Sequence, residues 1–349
     1  MYCYKRNGGC NSFTNLMIVR LTSLALLVGS LFVWLPSAYS AEKLRIGWVY
    51  AMGNTPLLVA KYNGFFKQAG VDVEIVQFDS GPLIKRAMKA GDLDLAYIGI
   101  PALSRAVADG IDLKIVAKVN YGNAALITKK DSSIRNLGDL RGRKIAGVRK
   151  GSGMDILLRG YVLGERAGFD SDKDVTILHM PTKMMDASVN KGVVDAAFTW
   201  EPFVSLAVLS DDARVLFDSN QAIPKHLWYV IAARTSILEE SRDTVNKVLS
   251  AHQRAVSYLR TDTNAGMSII IDTFKLDTAV KYSQKKIIAE EVVVEARSRL
   301  GWECVLDQKD MKFIQRLIDY TQDLGYLKNR QHVDDLIDDE SISYLKGIE

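Results

Sequence analysis

AGDLDLAYIGIPA, residues 90–102, and KGVVDAAFTWEPF, residues 191–203, are written on one pattern. Gly91 matches Gly192, Asp94 matches Asp195, Ala96 matches Ala197, Tyr97 matches Phe198 and Pro101 matches Pro202, all at an offset of 101. Each copy reads as a helix end at glycine, a tight turn, a short apolar strand, and a proline opening the next helix. One match is coincidence; a frame kept over five positions predicts two similar α/β lobes of roughly 100 residues each. Glu201 stands where the first copy has Ile100, so the copies share a frame but not a charge.

Outward from this pair, strand-like and helix-like segments alternate. KLRIGWVY, VDVEIVQF, LDLAYIG and LKIVAKV read as strands, with PLLVAKYNGFFKQAG, GPLIKRAMKAG and PALSRAVADG as helices between them. The alternation restarts with KIAGV and GMDILLRGYVLGERAG, continues through DVTILHM, MMDASVNKG, VDAAFTW, EPFVSLAVL and RVLF, and ends at WYVIAAR. Residues 237–260, 279–299 and 309–327 carry helical periodicity, and DDLIDDE reads as a solvated acidic face. This predicts mostly parallel sheets flanked by helices.

The 349 residues are 25% charged and 48% hydrophobic, an ordinary globular balance. Lys5, Arg6 and Arg20 are the only charges before Ala41. The remainder is nearly neutral, which argues against nucleic acid or an acidic membrane surface as a partner. Arg20, the uncharged run Leu21–Leu35, Pro36, and the small residues Ala38 and Ser40 have the three-part layout of a cleaved export signal, with the cut before Ala41. No cysteine sits at that cut, where Ala41 stands, to carry a lipid. Met17 begins a more compact signal than Met1 does. Beyond the leader only Cys304 remains, so the mature chain has no internal disulfide to form. The four histidines lie apart, off any metal-ligand spacing.

Ligands of open α/β sheets bind beyond the carboxyl ends of the strands, where loops enter helices. Two facing lobes turn these loops into a cleft. RKGSGMD offers Ser152 and Gly153, and DSGP offers Ser80 and Gly81, to an oxyanion at a helix start. Ser and Gly equally suit any helix start, so a plain cap remains the competing reading. Trp48, Trp200 and Trp228 sit near strand ends, as core residues or as ligand clamps, and His226 is equally a surface residue of the crossover. Glu201 is either a helix cap or a partner for a ligand amine. The G-x-x-x-x-G-K-[ST], G-x-S-x-G, H-E-x-x-H and C-x-x-C patterns are absent. No catalytic residue, metal ligand or cofactor is expected.

RIGWVYAMGNTPLLVAKYNGFFKQAGVDVEIVQFDSG, AGDLDLAYIGIPA, DLRGRKIAGVRKGSG and VDAAFTWEP together resemble the solute-binding proteins of ABC importers. The resemblance is to the branch that takes taurine, alkanesulfonates and nitrate. It covers about residues 43–235 well and the helical remainder in outline. It implies a periplasmic-binding-protein type 2 fold, a Venus flytrap whose two lobes are joined by two crossover strands, near Asn120–Leu126 and His226–Ala233. The expected layout is a leader over 1–40, the first part of lobe one over 41–122, lobe two over 123–227, and a crossover with a helical return to lobe one over 228–349. By resemblance the DSG loop, Gly99, the Ser152 loop and the W-x-P loop line the cleft, and Asn54 in GNTP joins the candidates.

The implied function is that of a monomeric periplasmic protein that captures a small anionic or zwitterionic solute, taurine first, and delivers it to a permease and its ATPase. One departure stands out. Some taurine binders carry an acidic residue just before the second crossover tryptophan, where this chain has His226 and Leu227. Alternatives on the same fold are nitrate or a small heterocycle as ligand, or an enzyme acting on a pyrimidine precursor.

Overall fold

The computed structural model describes residues 43–262, 264–282 and 285–349. The expected leader and its cut lie outside these. Among the described residues no helix is long and apolar enough to cross a membrane.

Two five-stranded sheets share one topology. In the first, β1 (Leu44–Val49), β2 (Val73–Phe78), β3 (Leu95–Gly99), β4 (Leu113–Lys118) and β11 (Tyr229–Arg234) run in the order β2-β1-β3-β11-β4. In the second, β6 (Ala124–Lys129), β7 (Lys144–Gly147), β8 (Thr176–His179), β9 (Ala196–Trp200) and β10 (Ala213–Asp218) run in the order β8-β7-β9-β6-β10. β1 pairs in parallel with β2 and β3, and β7 does the same with β8 and β9. Only β11 and β6 run against their neighbours, one in each sheet. Both are the strands that carry the chain in from the other lobe. β3 and β9 hold the same place in the two sheet orders, and their bounds correspond at the offset of 101 seen in the sequence. All five positions of each are buried, because helices cover both faces of a parallel sheet.

The crossovers lie side by side. Trp228 N donates to Asn120 O at 3.1 Å, Gly122 N to His226 O at 2.9 Å, and Tyr229 N to Asn120 Oδ1 at 3.0 Å. A third strand, β12 (Leu300–Trp302), pairs antiparallel with β5 (Asn120–Gly122). Gly122, at φ +67°, is needed there, since a Cβ would lie 2.0 Å from Arg299 O. His226 is buried here and edge-on to Trp228 and Phe313, not at the surface, and burial pulls its imidazole down to about 4.

Helix ends differ from expectation where glycine or a pairing strand intervenes. The helix expected over PLLVAKYNGFFKQAG breaks at Gly64 into Thr55–Tyr62 and Phe65–Gln68. The one expected over 279–299 is helical only over Ala289–Arg297: at its start the chain forms the short helix Leu276–Ala279 and the tight turn Val280–Tyr282 instead, and β12 takes over from Leu300. The acidic tail is not merely solvated. Leu336 is buried, Asp338 N bonds Ile115 O at 3.0 Å, and Asp338 pairs with Arg242 at 2.6 Å.

Candidate ligand-binding site

The carboxyl ends of β1, β3 and β9 and the turn after β7 converge on one cavity between the sheets. It is lined by Val49, Ser80, Gly81, Gly99, Ala102, Ser152, Gly153, Met154, Trp200, Trp228 and Tyr229. The cavity is small, about 20 Å³.

Three helix starts rim it. Ser80 precedes the helix Gly81–Ala90, and Gly99 precedes Ile100–Ala108. Ser152 caps Gly153–Ile156, its Oγ accepting from Asp155 N at 3.3 Å, and this helix widens into π-type turns over Leu157–Arg166. First-turn N–H groups have no acceptor within their own helix, so these ends turn donors and partial positive charge toward the cavity. The first two starts pack closely, and a Cβ on Gly81 would meet Ala102 Cβ at 2.6 Å.

The side chains add donors. Ser80 Oγ, Trp200 Nε1 and Trp228 Nε1 are buried without a hydrogen-bond partner. The Tyr229 phenol lies near the Trp228 indole. Burial lifts that phenol above its ordinary range, and Trp228 offsets a small part of the rise. An indole N–H only donates, so an orphan of this kind facing a cavity calls for an acceptor. No lining residue carries a charge. The site offers neutral, fixed donors and no counter-charge.

Seven of the ten expected residues meet here: Ser80, Gly81, Gly99, Ser152, Gly153, Trp200 and Trp228. Trp48, Asn54 and Glu201 do not line the cavity. The two-residue period of β1 turns Val49 to the cavity and Trp48 into the core beside Tyr50. Asn54 is buried and donates to Val49 O at 2.8 Å, bracing the turn after β1. Val49, Ala102, Met154 and Tyr229 were missed; strand alternation pointed to Val49, and the neighbouring Trp228 to Tyr229.

Glu201 is wholly buried and engaged within the protein. Its Oε2 accepts from Ser205 N at 3.0 Å, the first-turn cap the sequence allowed, and its Oε1 meets Arg299 Nη1 at 3.3 Å. Arg299 also holds Glu295 at 2.7 Å and reaches Asp218 at 3.7 Å, so one guanidinium serves three carboxylates. Burial therefore dominates and pushes the Glu201 carboxyl up to about 7, with Arg299 and Ser205 offsetting part of the rise. The cation expected from a ligand is supplied by Arg299.

A family model matches residues 37–271. The chain belongs to the NMT1-like family. A Bacillus subtilis relative named for binding aliphatic sulfonates is 28% identical over 245 residues, 68% of this NMT1-like chain and 72% of its own. The alkanesulfonate-binding protein SsuA from Xanthomonas axonopodis, solved with MOPS bound, is 23% identical, with a TM-score of 0.70 over 84% of this chain and 97% of that one. The periplasmic nitrate-binding protein NrtA from Synechocystis is 17% identical, with a TM-score of 0.69 over 88% of each chain. These solved folds are periplasmic-binding-protein folds, as is that of this NMT1-like protein. The Bacillus subtilis relative and these two solved neighbours are named for binding a solute.

Proposed function

We propose that this protein is the exported, periplasmic solute-binding component of an ABC importer. It captures a short organosulfonate in the inter-lobe cavity and presents it to a permease and its ATPase. The observation that carries this reading is the pair of buried, unpartnered polar groups, Ser80 Oγ and Trp200 Nε1, on residues that line one uncharged cavity ringed by helix starts, with the Trp228 indole beside the Tyr229 phenol. A sulfonate stays ionised and offers three acceptor oxygens, so several fixed neutral donors suit it without a counter-charge. The names of the relatives favour the same class.

Within it, a plain alkanesulfonate suits the lining better than taurine, the first candidate from sequence. Taurine brings an ammonium to a cavity with no carboxylate, and Glu201 is already held by Arg299. Burying an unpaired ammonium is costly. Titration calorimetry with ethanesulfonate, taurine and nitrate tests both levels. Ethanesulfonate is expected to bind most tightly, with taurine weaker by at least about tenfold. Heat from nitrate alone moves the reading to nitrate, and tighter binding of taurine reverses the preference within sulfonates.

A further inference from the structure

The helix Gln308–Asp323 is mounted on lobe one. Lys118 Nζ, at the end of β4, donates to Asp310 Oδ1 at 2.8 Å and Oδ2 at 3.0 Å, with both side chains 3% exposed. Beyond the helix, Gln331 Nε2 donates to Ser104 O at 3.0 Å, on the helix Ile100–Ala108. The helix is thus tied to lobe one near its start, and the chain that follows it is tied there as well.

The same helix grips lobe two. The Tyr320 ring lies over Gly160, where a Cβ would come within 2.6 Å of it. The Arg316 guanidinium and the Tyr320 hydroxyl both bond Glu165, and Arg316 stacks 4.8 Å over the Tyr161 ring. Next to these, Arg105 of lobe one donates from Nη1 to Gly151 O at 2.9 Å and lies 5.0 Å over the Tyr326 ring. The Tyr326 hydroxyl reaches Asp155 Oδ2 at 3.4 Å, the oxygen that also accepts from Gly151 N at 2.8 Å.

Gly151 leads directly into Ser152 and Gly153, the lobe-two part of the cavity lining. Arg105, Arg316, Tyr320 and Tyr326 are themselves outside that lining. The cavity loop is thus fixed from behind, by Asp155 of its own lobe and by Arg105 and Tyr326 of the other.

We propose that Arg105, Arg316, Tyr320 and Tyr326 form a clamp that grips lobe two beside the cavity through contacts with the protein itself, and that Arg105 and Tyr326 are positioning residues for the Ser152 loop. Closing the lobes and setting the loop are then one event, and ligand escapes only after the clamp breaks. The loop-setting half rests on the proposed binding function; the clamp does not.

The test pairs two readouts on Arg105→Ala and the double variant Arg316→Ala/Tyr320→Ala, with circular dichroism confirming the fold. In small-angle scattering without ligand, the double variant is expected to have a larger radius of gyration than the parent. In stopped-flow with ethanesulfonate, Arg105→Ala is expected to dissociate about tenfold faster, because this contact must break before ligand leaves. Arg105→Lys, which keeps a donor for Gly151 O, should recover most of the difference. An unchanged radius in the double variant overturns the clamp, whatever the ligand. Equal dissociation rates in a parent that binds ethanesulfonate overturn the positioning role. A parent that binds no sulfonate but expands on losing Arg316 and Tyr320 rejects the ligand assignment and keeps the clamp.

Discussion

The turns after β3 and β9 occupy the same place in the two lobes and do different work. After β3 the chain runs Gly99-Ile100-Pro101: the glycine leaves space, Ile100 enters the core, and the following helix start faces the cavity. After β9 it runs Trp200-Glu201-Pro202: the tryptophan fills the space with a donor, and Glu201 turns inward to Arg299. One lobe supplies room and backbone polarity, the other a side-chain donor and an internal ion pair. A duplicated frame is thus specialised by changing two residues at one corner while the strand and the proline stay.

The comparison is easiest to break at Gly99. A Cβ there meets nothing within 4 Å, because the space it enters is the cavity, and its φ of −82° and ψ of 148° suit any residue. Gly99→Val should fold with an unchanged melting temperature yet lose about a hundredfold or more in ethanesulfonate affinity by calorimetry. Normal binding would move the ligand away from this turn.

Trp200→Phe keeps most of the ring and removes the indole donor. Hydrogen bonds to charged groups contribute about 1.5–3 kcal/mol, so affinity should fall by roughly ten- to a hundredfold. A loss under about twofold would assign Trp200 to packing alone.

Glu201→Gln is the smallest change for binding, expected within about twofold, because the carboxylate is an internal partner. Its signature is in stability. A carboxyl raised from 4.5 to about 7 by burial binds its proton more tightly in the folded chain. The stability this brings is complete below pH 4.5 and disappears as pH rises through about 7. His226 and His252, both held down to about 4 by burial, titrate alike in parent and variant and cancel in the difference. The melting temperature of Glu201→Gln relative to the parent should therefore rise between pH 5 and pH 8. A flat difference would show that Arg299 keeps Glu201 ionised throughout.

The sequence by itself determined the frame. The 101-residue repeat needs no tertiary information, because strand, glycine turn and N-terminal proline are local choices with local physical causes. For the same reason the Ser80, Ser152 and Trp200 loops could be placed at the strand ends, and so at a cleft. Only the tertiary structure decided which side chains face it. Trp48 and Val49 differ by one step of the strand and end on opposite sides. Glu201 was a free carboxylate in sequence; Arg299, 98 residues later, satisfies it, brought there by the pairing of β12 with β5. The tail that read as solvated acid packs Leu336 and pairs Asp338 with Arg242 across 96 residues. The partner of a charge is set by contacts distant along the chain, which local periodicity does not encode.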